Sequence, residues 1–169
     1  PSDNPLDKLA GLSLGLSLME KAVVQNAYHD RLLLYRSFKG RDGSPALINQ
    51  DVEQQMVPLW DFNCELTEGR NVACAAWNRS KRDLLAVGYG EFEFMEQKGG
   101  LVAFWSLKNP KYPEWTFQTP HGVTALDFSH AHPNLLAIGL YDGTVAVYDV
   151  RAPTDKPVLE SGHLSLIHI

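Results

Sequence analysis

The sequence is poor in the residues on which several classes of protein depend. Two cysteines, Cys64 and Cys74, in 169 residues are too few for a disulfide framework and lack the close spacing of a zinc site. No apolar run approaches the roughly 20 residues of a membrane-spanning helix. Acidic residues outnumber Lys and Arg, for a formal net charge of -5, which argues against nucleic acid, because phosphates are bound chiefly by clustered basic residues. We therefore expect a cytoplasmic chain with free thiols, no metal or cofactor, and no nucleic-acid or membrane partner.

What the chain does contain is two copies of one pattern. Six positions recur at a spacing of 51 residues: Val72, Trp77, Leu84, Leu85, Ala86 and Gly88 match Val123, Phe128, Leu135, Leu136, Ala137 and Gly139. Four later positions recur at a spacing of 43 residues: Gly100, Val102, Trp105 and Leu107 match Gly143, Val145, Tyr148 and Val150. The first copy therefore carries an insertion of 8 residues, and the chain is predicted to be a repeat protein.

Each copy predicts short strands. Residues 72–77 and 123–128 are rich in β-branched, aromatic and small apolar side chains and end at turn-forming residues. Residues 84–88 and 135–139 are apolar throughout, a pattern typical of strands that are covered on both faces. In the second copy Asp142-Gly143 predicts a tight hairpin turn that leads into a third strand over 144–148.

Doubly covered short strands repeating at this interval are typical of a β-propeller, in which about 4 to 8 four-stranded blades pack around an axis. The predicted fold class is all-β: an incomplete propeller of about two blades, at 57–118 and 119–163, plus a strand of a third within 58–66. An α-helical or irregular arm over 1–45 precedes the propeller region 46–169. Residues 164–169 do not continue the pattern, and we interpret them as an aberrant or truncated tail of a partial sequence.

The second copy has a more specific likeness. Residues 140–149 resemble a WD repeat, with Tyr148-Asp149 in the place of that family's Trp-Asp pair and Trp105-Ser106 in the matching place of the first copy. In that family an Asp in the turn braces the blade through hydrogen bonds, so the resemblance implies this role for Asp142. Gly99 stands at the matching position of the first copy.

Residues 57–62, 83–90 and 105–114, with the insertion, resemble the first blades of an axonemal dynein intermediate chain of the outer-arm type, and 19–26 resemble the helix before its propeller. The resemblance implies a non-catalytic scaffold in the ciliary axoneme that serves microtubule-based motility. Its implied partners are a dynein heavy chain, dynein light chains and a second intermediate chain. A WD-repeat adaptor of another assembly, such as intraflagellar transport or ubiquitin ligation, is the alternative.

The arm predicts an amphipathic helix over 18–38 that either packs on the propeller or binds a partner such as a light-chain dimer. Its candidate contact residues are Met19, Val23, Leu33 and Leu34. Just upstream, leucines alternate with Gly and Ser over 12–18, which is a strand-like pattern.

The remaining candidate residues are structural or partner-binding. The structural set is Trp77, Trp105, Phe128, Asp142, Gly143, Tyr148 and Asp149. Phe92 and Phe94 in the insertion and Trp115 before the outer strand are candidate partner-binding residues. The large aromatic side chains are mostly expected in the core: Trp60, Trp77, Trp105, Tyr112 and Phe117.

No set of residues predicts catalysis. His130 and His132 are the nearest approach to a metal pair, but they fall in a turn with no acid or Cys fixed beside them. A hydrolase using these histidines with Asp127 is the enzymatic alternative. No nucleophile elbow occurs, and Gly88-Tyr89-Gly90 lacks the third Gly of a dinucleotide-binding loop.

Overall fold

A computed structural model describes residues 11–36, 58–90, 99–152 and 156–162. The chain divides into two compact units, Pro1–Asp61 and Phe62–Ile169. The first unit contains helices α1 (Leu12–Ala27) and α2 (His29–Tyr35), which are separated at Tyr28. The ring of Tyr35 meets that of Trp60 edge to face at 5.5 Å, and the Arg31 guanidinium donates a hydrogen bond to the Leu59 carbonyl. Residues 59–60 therefore pack on α2.

The strand-like interpretation of residues 12–18 is wrong, because α1 covers them. Residues 12–18 contain only Leu, Ser and Gly, but the rest of α1 includes Met, Glu, Lys, Ala and Gln, which are good helix formers. The apolar residues also fit helical spacing, since Leu12, Leu16, Met19 and Val23 follow one another at intervals of four, three and four. This spacing gives α1 an apolar stripe, of which Met19 and Val23 are about two-thirds exposed.

The second unit consists of two four-stranded antiparallel sheets with the strands in chain order. Sheet 1 contains β1 (Asn71–Trp77), β2 (Leu84–Gly90), β3 (Gly100–Ser106) and β4 (Trp115–Thr119). Sheet 2 contains β5 (Val123–Phe128), β6 (Leu135–Leu140), β7 (Val145–Asp149) and β8 (Leu159–Glu160). The predicted strands at 72–77, 84–88, 123–128, 135–139 and 144–148 are thus confirmed to within two residues.

The predicted strand within 58–66 is wrong. The segment runs without strand pairing into a short 3-10 helix at Glu65–Thr67. The Thr67 hydroxyl accepts a hydrogen bond from the Cys64 N–H at 3.2 Å and donates one to the Cys64 carbonyl at 2.9 Å. These local bonds occupy backbone groups that a sheet would need.

The two sheets stack face to face on an apolar core. From sheet 1 the core contains the buried side chains of Leu84, Ala86, Val102, Phe104 and Phe117, and from sheet 2 those of Phe128, Leu136, Ile138, Ala146 and Tyr148. The rings of Phe117 and Tyr148 stack across the interface with centroids 5.1 Å apart. We call the faces that meet here the inner faces and the opposite ones the outer faces.

The repeat shows that this stacking is head to tail. Leu84 and Ala86 lie on the inner face of sheet 1. Their repeat equivalents in sheet 2, Leu135 and Ala137, alternate along β6 with residues of the inner face. Because successive side chains of a strand point to opposite faces, these two residues lie on the outer face of sheet 2. Each sheet therefore uses opposite faces for its two neighbours. The central part of the outer face of sheet 1, around Trp105, is buried, and Phe62 and Cys64 pack against it. The outer face of sheet 2 is exposed.

Trp77 was expected in the core, and that expectation is wrong for this chain. Trp77 pairs with Leu85, which places it on the outer face of sheet 1, and it is 47% exposed. Its repeat equivalent Phe128 is 2% exposed because sheet 1 covers the inner face of sheet 2. Tyr112 is also outside the core, at 50% exposure, because it lies in the turn between β3 and β4.

Candidate interaction surfaces

The turn between β6 and β7 is fixed by the residues that the WD-repeat resemblance singles out. Gly143 has φ 85°, a left-handed conformation that side chains rarely adopt. The Asp142 carboxylate accepts hydrogen bonds from the Thr144 N–H at 3.0 Å and the Thr144 hydroxyl at 2.8 Å. Its Oδ2 also lies 3.7 Å from His121 Nε2 in the linker between the sheets. Asp142 therefore ties the turn together and meets the linker.

The matching turn of the first copy lacks this carboxylate. Gly99 stands in its place, and the Gly99 carbonyl accepts a hydrogen bond from the Arg70 guanidinium at 2.7 Å. The intervening residues 91–98, with the candidate residues Phe92 and Phe94, lie outside the described residues.

Trp105 and Tyr148, the aromatic residues at equivalent positions of the two copies, are both buried. Trp105 donates its indole N–H to the Tyr89 hydroxyl at 3.3 Å, and its ring centroid lies 5.5 Å from that of Phe62. Burial raises the pKa of the Tyr89 phenol, more than the Trp105 hydrogen bond lowers it. The phenol is therefore protonated near neutral pH and serves as a hydrogen-bonded part of the core.

Asp149 forms a close pair with Arg151 at the end of β7. The guanidinium donates to the two carboxylate oxygens at 2.7 and 3.1 Å, and the Arg151 N–H donates at 2.9 Å. These hydrogen bonds lower the pKa of Asp149 to about 2. The group is a structural ion pair at a turn, with both lone-pair-bearing oxygens engaged.

The residues considered for catalysis do not form a reactive group. His130 and His132 are exposed in the turn between β5 and β6, and the Asp127 carboxylate accepts the Phe128 N–H at 2.8 Å. Among the described residues no three His, Cys, Asp or Glu side chains are grouped as metal ligands would be. Burial raises the pKa of the Cys74 thiol, which keeps it protonated and unreactive. In the same described part of the chain, no helix is long and apolar enough to cross a membrane.

The candidate partner-binding residues fall into different surroundings. On the helices, Met19 and Val23 are exposed, whereas Leu33 and Leu34 are half-buried. Trp115 in β4 is half-buried at the edge of the core, where its ring stacks on that of Phe104 with centroids 5.1 Å apart. Its indole N–H is buried and meets no hydrogen-bond acceptor among the described residues.

Sequence reasoning missed a set of buried polar residues that hold the turns at one end of the sheets. Asn78 is 3% exposed and donates its side-chain amide to the Pro133 carbonyl at 2.7 Å, linking the first turns of the two sheets. Asn109 and Ser106 are also buried and accept backbone N–H groups of the turn between β3 and β4. The available signal was an Asn or Ser at a strand end, where such residues commonly fix turns.

Two stacked four-stranded sheets built from one sequence pattern define a repeat protein. By sequence, the chain is homologous to the dynein axonemal intermediate chains, which confirms the resemblance noted above. It is 47% identical over 153 residues to dynein axonemal intermediate chain 4 of Xenopus laevis, covering 86% of this chain and 21% of that protein. It is 39% identical over 182 residues to the human protein of that name, covering 91% of this chain and 22% of that one.

A third relative is the 78 kDa intermediate chain of the flagellar outer-arm dynein of Chlamydomonas reinhardtii, 39% identical over 146 residues, with 86% of this chain and 21% of that protein covered. The chain thus spans about a fifth of the length of these relatives. No family model matches the sequence. Half of the chain also matches 21% of a chain in a structure of the COPII outer coat vertex on membranes, at 20% identity and a TM-score of 0.45.

Proposed function

We propose that this chain is part of a non-catalytic scaffold subunit of an axonemal dynein, located in the ciliary axoneme and acting in microtubule-based motility. The observation that carries the proposal is the identity of 39–47% over most of the chain to dynein axonemal intermediate chains, among them a flagellar outer-arm subunit. The structure is compatible with a role without catalysis, since its thiol at Cys74 is protonated and its histidine pair lies exposed in a turn.

We further propose that the two sheets are blades of a WD-repeat propeller. The head-to-tail stacking supports this, because an interface that joins different faces of like units repeats from unit to unit and forms a ring where the rotation between units closes. The outer face of sheet 2 also repeats the surface with which sheet 1 holds sheet 2: Leu135, Ala137, Gly139 and Val145 match Leu84, Ala86, Gly88 and Val102. Such a face suits another sheet of the same pattern.

In this proposal the completed propeller docks on the dynein heavy chain and the second intermediate chain. Affinity purification of the full-length protein from ciliated cells tests it, with recovered proteins identified by mass spectrometry. Dynein heavy chains, light chains and a second intermediate chain are expected. Recovery of an intraflagellar-transport or ubiquitin-ligase complex without dynein heavy chains would contradict the proposal.

The helices are the proposed site for light chains. The apolar stripe of Leu16, Met19 and Val23 on α1 is exposed. An amphipathic helix that binds a partner through its apolar face would show such exposure in the absence of that partner. The double variant Met19→Asp/Val23→Asp should lose light-chain binding in a pull-down with the full chain. Ser13→Asp/Gln25→Asp, which adds the same charge on exposed positions away from the stripe, should keep it. Equal binding by all three proteins would remove this site.

A further inference from the structure

The turns at one end of sheet 1 form a basic surface on a protein of net charge -5. The turn after β1 and the turn after β3 lie side by side, since the Leu107 N–H donates to the Asp83 carbonyl at 3.1 Å. Their exposed cations make up what we call the basic end surface: Arg79, Lys81, Arg82, Lys108 and Lys111. The acidic residues of these turns are fewer, namely Asp83 and Glu114.

The opposite end of the sheets carries the opposite sign among the described residues. Glu68 precedes β1, Asp142 lies in the turn between β6 and β7, and Glu160 ends β8. Arg70 at this end already donates to the Gly99 carbonyl. Charges are thus separated along the strand direction, and such separation creates a local potential that attracts ligands of the opposite charge.

Buried polar side chains hold the turns of the basic end surface in place. The side chain of Asn78 accepts the Lys81 N–H at 2.8 Å, and that of Asn109 accepts the Lys111 N–H at 3.2 Å. Asn78 is itself anchored to the neighbouring turn of sheet 2 through the Pro133 carbonyl. The backbone that carries the cations is therefore ordered before any partner arrives, which reduces the entropy lost on binding.

Most of these cations are not paired with another side chain within the described structure. Lys108 pairs with Asp83 at 3.2 Å. Across the described ranges, Arg79, Lys81, Arg82 and Lys111 make no side-chain ion pair or hydrogen bond. Cations gathered on rigid turns repel one another, and an anionic partner would relieve that repulsion.

We propose that the basic end surface binds an Asp- and Glu-rich segment of a partner protein. Carboxylates match the planar forks of Arg79 and Arg82, which donate two hydrogen bonds in parallel. Nucleic acid fits less well, because its unbroken run of phosphates would meet the Asp83 and Glu114 carboxylates and the acidic remainder of the chain. Separated carboxylates of a peptide can avoid those positions.

The test measures binding of a fluorescein-labelled oligoglutamate peptide to the full chain by fluorescence anisotropy at low ionic strength. The wild type should bind, and its affinity should fall as salt is added, because salt screens exposed charges. The variant Arg79→Glu/Lys81→Glu/Lys111→Glu should bind about tenfold or more weakly, since three exposed pairs of a few-fold each are lost.

The matched control is Ser13→Glu/Lys21→Glu/Gln25→Glu/Arg36→Glu, which changes the net charge equally on the helices, leaves the bond from Arg31 to the Leu59 carbonyl in place, and should retain near wild-type affinity. Circular dichroism shows whether charge reversal disturbs folding. If it does, a second variant with Arg79, Lys81 and Lys111 replaced by Gln is used, and this variant should also weaken binding. Equal losses in the patch and control variants, or no binding by the wild type, would overturn the proposal. Tighter binding of single-stranded oligothymidylate than of the peptide would overturn the choice of an acidic protein segment.

Discussion

Gly88 and Gly139 are repeat equivalents in opposite surroundings, and changing each to alanine tests the head-to-tail stacking. Gly88 lies on the inner face of sheet 1, where an added Cβ would come 2.6 Å from Val123 Cγ1 and 2.7 Å from Cys74 Sγ. Gly139 lies on the outer face of sheet 2, where the nearest atom to an added Cβ is Thr124 Oγ1 at 3.5 Å. One methyl group therefore clashes in sheet 1 and fits in sheet 2.

The expected free energies of unfolding follow from these distances. Gly→Ala stabilises by about 0.4–1 kcal/mol at a compatible position, because it lowers the entropy of the unfolded chain. Overpacking a well-filled core costs about 1–3 kcal/mol. The entropy gain is common to both variants, so Gly88→Ala should be less stable than Gly139→Ala by about 1–3 kcal/mol. Gly139→Ala should equal or exceed the wild type.

Urea denaturation followed by far-ultraviolet circular dichroism measures both variants, with the free energies taken from the midpoint and slope of each transition. The wild type and the two variants should share one slope. Equal destabilisation by the two substitutions would show that both faces are packed alike and would refute the stacking. A loss confined to Gly139→Ala would refute it as well.

Three further outcomes are expected. Phe128→Ala should lower the free energy of unfolding by about 3–5 kcal/mol as a core truncation. Trp77→Ala should lower it by less than half as much in this chain, because the side chain is 47% exposed. Similar urea midpoints for the two variants would contradict the difference in burial. Asp142→Ala should lower stability by about 1–3 kcal/mol through the lost Thr144 hydrogen bonds, and an unchanged melting temperature would remove its bracing role. Because the pKa of Asp149 is lowered to about 2, its pair with Arg151 favours the folded state above about pH 4 and loses that effect as pH falls through 2. In Arg151→Gln, carbon NMR titration should show the pKa of Asp149 rising towards 3.8. An unchanged pKa would contradict the pairing.

The strands could be predicted because their pattern is local. Residues 84–88 and 135–139 are apolar at every position and end at Gly, and both form central strands. The hairpin at Asp142-Gly143 could be predicted because only a few residue types supply the positive φ that Gly143 adopts.

What could not be predicted depends on neighbours. Trp77 and Phe128 occupy the same place in the pattern, and only the position of sheet 1 decides that one is exposed and the other buried. The leucines over 12–18 fit a period of two but also helical spacing with Met19 and Val23, and the helix-forming residues that follow them in α1 favour the helix. The buried roles of Asn78 and Asn109 depend on contacts between turns that are distant in sequence, such as Asn78 with Pro133.

The central claim is our proposal that a further sheet of the same repeat packs against the outer face of sheet 2. Thiol labelling of Val145→Cys tests it, in a background with Cys64→Ser and Cys74→Ala, since Val145 is 40% exposed on that face. The rate of maleimide labelling is compared between this chain alone and this chain placed within the full length of a dynein axonemal intermediate chain such as that of Xenopus laevis, with Ser80→Cys in an exposed turn as the control. We predict fast labelling of Val145→Cys here and labelling slower by more than about tenfold in the longer protein, where it must wait for local opening, while the control is unchanged. Equal rates for Val145→Cys in both proteins would contradict the account.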